Sequence, residues 1–511
     1  MLILGKSKSL FTEEVFEDFK QKVTRSGKIK KYLHFDDRLK FSDIEDKLRL
    51  LLSGSKKNVS NYRFLPHVKI LLKTPRYKYQ SEDDSYSLET KIRPITFASH
   101  FDSFIYAFYA FAIGRLYEAY IKEKGFDDCV LAYRSDLNGD CNIQFAKKAF
   151  DAIQDFSTKN KSNCVAIALD IRGYFDTINH HLLKEKWCKV IGESELPKDQ
   201  YSIYRQLTNY TYCTKKGLLR HFGIKTDENL RNLLTVMPAT VTGSSVTDKF
   251  NYLRSKNLIV KNKSYKGVHD SESKGIPQGS PISALLSNIY LIDFDKWLYE
   301  LCKKSGGHYL RYCDDILIIT TTRRAKHLIE RIGDVIKDAY KLDIQTKKSD
   351  IILFCEDETG RIRSYDVNGE GKLARARKGD KKLYKNLQYL GFEYNGSKTY
   401  IRSASLSRYF RKAKGSITKT MMMAYGKRSK TDKILKKSLY EKYSHLGRRN
   451  FLSYAFNASK KEYSNSEGKI KSGLASSSIR KQLSSHFTIL QAEISKTSAQ
   501  FAKMKSIRTK K

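Results

Sequence analysis

The stretch "HYLRYCDDILIITTT", His308 to Thr322, sets two adjacent carboxylates, Asp314 and Asp315, between two runs of strand-forming residues. Asp-Asp pairs also occur at Asp36-Asp37, Asp83-Asp84 and Asp127-Asp128, but only this one lies between two strand-like apolar runs. Tyr309, Leu310 and Tyr312 precede it and Ile316 to Ile319 follow, a pattern that predicts two short strands with the acids at the tight turn between them. Such a turn exposes both side chains. In isolation it reads as a solvated turn; if other carboxylates converge on it, it reads as half of a cation site, because adjacent like charges repel unless a cation is shared between them.

Composition narrows the partners. The 511-residue chain is long enough for two or three domains, and 40% hydrophobic with 12% aromatic residues describes a folded protein. A formal charge of +41 points to a polyanion. The most apolar stretch, Phe104 to Gly114, is too short to span a bilayer and is bounded by Asp102 and Arg115, so a membrane is not expected. The N-terminal "MLILGKSKSLF" lacks a signal-peptide apolar region, and eight cysteines without zinc-like spacing read as reduced thiols, so the expected location is the cytoplasm.

Along the chain, residues 1–84 read as a basic, mostly helical N-terminal region. Residues 85–400 mix strands and helices in an α+β pattern, with a polar, tyrosine-rich insertion over about 192–270 and another from about Glu356 to Lys382. Residues 401–511 carry 27 Lys and Arg against five acids, a net +22, and read as a basic helical domain. Its aromatics Tyr440, Tyr443, Phe451, Tyr454 and Phe456 suit both the packing of a small core and stacking faces for nucleic acid, and Arg448 and Arg449 are candidate nucleic-acid-binding residues.

A third carboxylate answers the pair at 314 and 315. Asp170 ends the apolar run "CVAIALD" and so emerges at the rim of a buried sheet, although an Asp there also suits a helix cap. Together, "ALDIRGYFD", "GIPQGSPIS", "YCDD", "LDIQTKK" and "LQYLGF" resemble, in order and style, the palm motifs of reverse transcriptases. The resemblance covers about residues 85–400 and implies a right-hand polymerase fold: fingers, a palm built on an antiparallel sheet, and a helical thumb from 401–511.

What the resemblance implies for chemistry is RNA-directed DNA synthesis by two-metal-ion nucleotidyl transfer. Asp170, Asp314 and Asp315 match the catalytic triad and would hold two Mg2+ ions, with Mn2+ able to substitute. Phe175 matches the gate that excludes a 2′-hydroxyl, Gln278 and Gly279 the pocket for the incoming dNTP, and Arg93 the arginine that meets the triphosphate. Lys348 resembles a lysine that protonates pyrophosphate; Lys91 and Lys347 stand close enough to share those two cationic roles. Leu390, Gly391 and Phe392 match the primer grip, and Cys313 reads as a packing residue.

The motif style lies nearer the bacterial group II intron and retron branch than the retroviral one. The segment "LYEKYSHLGRRNFLSYAFNASK" is similar to the thumb ends of defence-associated bacterial reverse transcriptases, the abortive-infection and "unknown group" lineages. That similarity implies antiphage defence with a structured noncoding RNA as template, a DNA product, and room for a homo-oligomer. The alternatives are a retron or group II intron-type enzyme and, from another class, a non-catalytic RNA-binding protein on a polymerase scaffold.

Overall fold

The computed structural model describes residues 9–27, 32–54, 58–80, 85–159, 163–226, 230, 233–234, 245–262, 273–346, 349–426, 429 and 433–509. Helices Glu13–Ser26 and Glu45–Ser53 bury Phe16, Phe19 and Leu48 beside the long helix His100–Glu123, which Ser99 caps by accepting from the Asp102 amide. Between them runs a hairpin, β1 (His67–Gln80) and β2 (Ser85–Phe97), paired antiparallel along its whole length. The helical reading of residues 1–84 therefore fails over 67–80. A mixed basic and apolar run such as "VKILLKTPRY" has no fixed period of its own, and β2 supplies the backbone partners that make it a strand.

The centre of the molecule is a five-stranded antiparallel sheet. Its first strand in sequence, β3 (Cys164–Asp170), lies in the middle. The insertion over 192–270 contributes β4 (Thr211–Thr214) and β5 (Ile259–Lys261), which extend the β1–β2 hairpin into a second sheet of order β2-β1-β4-β5. The hairpin expected at the Asp-Asp pair is β6 (His308–Tyr312) and β7 (Asp315–Thr321), and β8 (Asp350–Glu356) with β9 (Ile362–Asp366) completes the central order β6-β7-β3-β8-β9. The polar insertion over about 356–382 holds β9 and the helix Lys372–Arg377.

The apolar continuity of "CVAIAL" and "ILII" has a simple cause: both faces of the sheet are covered. Val165, Ile167, Ile316 and Ile318 join one core with the helix Thr322–Tyr340, whereas Ala166, Leu317 and Ile319 join another with the helix Asn142–Lys159. Strands buried on both sides lose the usual alternation of apolar and polar residues.

Beyond the central sheet, β10 (Leu387–Tyr389), β11 (Phe392–Tyr394) and β12 (Thr399–Ile401) form a small antiparallel sheet. It leads into the helix Ser403–Ala424. The remaining chain is mostly helical, apart from one hairpin at Glu462–Ser464 and Ile470–Ser472. Glu393, nearly buried on β11, accepts from the Ser403 amide at 3.1 Å and so places a carboxylate at the start of that helix.

Candidate active site

Strand pairing brings the three acids to one end of the sheet. Asp170 and Asp315 are direct partners in the antiparallel register of β3 and β7. Asp314 sits one residue earlier, in the turn, and its carbonyl accepts from the Ile171 amide at 3.1 Å. Asp315 is exposed, while Asp314 is half-buried, so the turn does not present both acids equally to solvent. Burial is the largest influence holding the Asp314 carboxyl above its usual range. The charge of Asp170 adds to it; its own backbone amide, the neighbouring Cys313 and the charge of Lys91 oppose it.

Among the described residues no three His, Cys, Asp or Glu side chains form a ready-made metal-binding group. The donor chemistry nevertheless fits a hard divalent cation. A carboxyl whose proton affinity is raised by burial and also by a neighbouring carboxylate is short of positive charge, and oxygen ligands of this kind are what such cations take.

The segment "GIPQG" is laced into place from two sides. The Gly275 amide donates to the Ile178 carbonyl at 2.8 Å and the Ile276 amide to the Phe175 carbonyl at 2.9 Å. On the other side the Thr96 amide of β2 donates to the Gln278 carbonyl at 2.8 Å. Gly279 has φ +122°, and a Cβ there would stand 2.7 Å from the Thr96 carbonyl oxygen, so only glycine lets the loop meet the hairpin. Phe175, Gln278 and Gly279 are thereby joined in one framework with β2. Lys91 and Arg93 alternate on β2 and share one face of it, and Lys91 is the one whose charge reaches Asp314.

Over residues 124–394, more than half of the chain, the sequence matches the family model described as reverse transcriptase (RNA-dependent DNA polymerase). The chain belongs to the reverse transcriptase family. Its catalytic domain is accordingly an RNA-directed DNA polymerase domain with a right-hand polymerase fold. No curated protein sequence matches the chain.

Similar solved structures include apo telomerase from Candida tropicalis, at TM-score 0.36 and 11% identity, covering 80% of this chain and 57% of that one. Another is telomerase from Candida albicans with a TWJ fragment of telomeric RNA, at 0.35 and 10%, covering 85% and 56%. The Candida tropicalis enzyme with the same kind of fragment gives 0.35 and 12%, covering 91% and 59%. This reverse transcriptase thus spans less than two thirds of those chains.

The remaining expected residues divide. Leu390 (φ +47°) and Gly391 (φ +92°) form the left-handed turn between β10 and β11, both half-buried. Phe392 is fully buried, its ring 6.1 Å from that of Tyr454, so it supports the turn from within the core and cannot grip a strand directly. Lys348, with Lys347, lies outside the described residues. Arg448 and Arg449 are exposed. The five C-terminal aromatics are half-buried and pack against the core on one face of the central sheet or against a small C-terminal core, and so are not free stacking faces. Cys313 is buried, and burial pushes its thiol up to about 12, in keeping with a packing role.

Sequence reading missed a fully buried ion pair beside the turn that carries Asp314 and Asp315. Arg311 donates to both carboxylate oxygens of Asp295, from Nε at 2.7 Å and from an outer guanidinium nitrogen at 2.5 Å. It also donates to the Asn288 side chain at 3.2 Å and to the Cys313 carbonyl at 3.0 Å, while the Tyr309 hydroxyl donates to Asp295 at 2.6 Å. Arg311 stands inside the quoted stretch, but an arginine at an alternate strand position ordinarily faces water.

Proposed function

We propose that this protein copies RNA into DNA at the end of β3 and β7, with Asp170, Asp314 and Asp315 as the metal-binding acids. The observation that carries the reading is the pairing of Asp170 with Asp315, beside an Asp314 whose proton affinity is raised by burial and, further, by the charge of Asp170. Two Mg2+ ions, or Mn2+ in their place, bound by these acids would supply a nucleophilic primer 3′-hydroxyl and neutralise charge on the leaving pyrophosphate. The residues do the positioning. Lys91 and Arg93 on β2 meet the triphosphate, Gln278 and Gly279 line the dNTP pocket, and Phe175 lies under the sugar and disfavours ribonucleotides. Lys348 is our candidate for the general acid toward pyrophosphate.

Under this reading residues 85–400 are fingers and palm and residues 401–511 are the thumb, holding template and product through phosphate contacts that include Arg448 and Arg449. The turn at Leu390 and Gly391 grips the primer. We further place the enzyme among the defence-associated bacterial reverse transcriptases, working in the cytoplasm on a structured noncoding RNA; the motif style and the segment from Leu439 to Lys460 support this. Sequencing nucleic acid co-purified with wild type and with the Asp314→Ala, Asp315→Ala double variant tests the whole. A defined RNA with its complementary DNA in wild type, and RNA without DNA in the variant, is the expected result; equal DNA in both would remove the polymerase assignment.

A further inference from the structure

Tyr133 lies outside any helix or strand. Its backbone is left-handed, φ +60°, a conformation that a bulky residue keeps only where its surroundings over-determine it. The residue is nevertheless 48% exposed, so core packing does not account for the conformation. The surroundings that impose it are polar and buried. The fully buried Asn288 donates to the Ala132 carbonyl at 2.8 Å, and Arg134 donates to the Val130 carbonyl at 3.2 Å while pairing with Asp136. Asn288 is in turn held by Arg311, which also donates to the carbonyl of Cys313, a second left-handed residue at φ +59°. One buried hub therefore fixes the backbone of Tyr133 and the turn bearing Asp314 together.

The result is an aromatic ring delivered to the edge of the candidate active site. The Tyr133 hydroxyl lies against the Cys313 thiol, and its ring centroid is 6.3 Å from that of Tyr312. Tyr312 packs against both cores of the central sheet and lies within electrostatic reach of Tyr389, the residue before Leu390, whereas Gln278 and Gly279 are joined to β2. Tyr133 is thus placed beside the turn bearing Asp314 and, through Tyr312, next to the neighbourhood of the Leu390 turn. We propose that Tyr133 is a primer-positioning residue whose exposed ring supports the terminal primer nucleotide beside Asp314. This rests on the assignment of Asp314 made above.

The test is extension of a defined DNA primer on an RNA template by wild type and by Tyr133→Phe, Tyr133→Ala and Tyr133→Asn. Asparagine tolerates the left-handed backbone but has no ring, so it separates the ring from backbone strain. Removing the stacking face should raise the primer–template KM roughly 10-fold in the Ala and Asn variants, with Tyr133→Phe restoring it toward wild type. The dNTP KM should stay within about twofold, since the ring touches only one of the two substrates. Primer–template affinity in an Asp314→Ala background, read by fluorescence anisotropy, should fall by the same factor without any turnover. An unchanged primer–template KM in the Ala and Asn variants, a rise in the dNTP KM alone, or a Phe variant as impaired as Ala would each overturn the proposal. If instead wild type fails to extend the primer, or Asp314→Ala extends it, the polymerase reading fails and not the placement of the ring.

Discussion

Asp314 sits where burial and Asp170 both favour its protonated form, so in the absence of metal the native state is strained at this carboxyl. Replacing it with asparagine, or Asp170 with alanine, should abolish DNA synthesis while leaving the melting temperature equal to or above that of the metal-free wild type. Thermal melts beside primer extension check both halves; a variant that unfolds would make the loss uninformative about metal. Phe175→Ala should raise ribonucleotide relative to deoxynucleotide incorporation by opening the space beneath the sugar, as single-nucleotide addition with each triphosphate would show. An unchanged ratio would return Phe175 to the core that it half enters. That Asp170 ends a strand, that Asp314 and Asp315 sit at a hairpin turn and that Gln278 and Gly279 lie on a tight loop was legible in the sequence, because short local spacing fixes those placements. Tyr133 and Asn288 were not, since a left-handed tyrosine and a buried asparagine acquire meaning only through partners far away along the chain.

At the scale of elements, the ion pair between Asp295 and Arg311 joins the helix Ile292–Lys304 to β6 with neither group exposed. Removing one partner leaves an uncompensated buried charge. Asp295→Ala should therefore cost about 3–5 kcal/mol, whereas Asp295→Leu combined with Arg311→Met should recover most of that stability. Chemical denaturation of the three proteins decides it, and the double variant should still synthesise DNA poorly because the Cys313 carbonyl is left without its donor. The central strands were readable as apolar runs bounded by turns, whereas β1 was not, because its pairing with β2 and β4 had no local sign. The C-terminal aromatics were ambiguous for a related reason. Alternating cations and rings suit both a nucleic-acid face and a small helical core, and Tyr409, ring-stacked on Phe451 at 5.0 Å, shows the second use.

For the whole molecule, charge and pH set the observable behaviour. If residues 401–511 hold nucleic acid through phosphates, affinity should fall linearly with salt on a log–log plot, and charge reversal at Arg448 and Arg449 should flatten the slope by about 0.9 per phosphate that is no longer neutralised. A chain ending near residue 400 with full affinity would remove the thumb assignment. Two buried groups near the N-terminal side pull the pH dependence of stability in opposite directions. Burial lowers His67 to about 3 from 6.5, so its contribution is complete above pH 6.5 and is lost as pH falls toward 3. Burial raises Asp102 to about 6 from 3.8, so its contribution is complete below 3.8 and is lost as pH rises through 6. Melting curves between about pH 7 and pH 4 should accordingly fall less steeply for His67→Leu and more steeply for Asp102→Asn than for wild type.

The central place of β3 has a consequence for how the enzyme is made. Its neighbours β7 and β8 begin only at Asp315 and Asp350, so the most apolar strand leaves the ribosome long before either edge can be covered. At ordinary elongation rates that delay is on the order of 10–40 seconds, during which "CVAIALD" is an open template for pairing with other chains. Yield of the intact protein should therefore depend on holding chaperones and on cool, slow expression, more than its finished, fully paired sheet would lead one to expect.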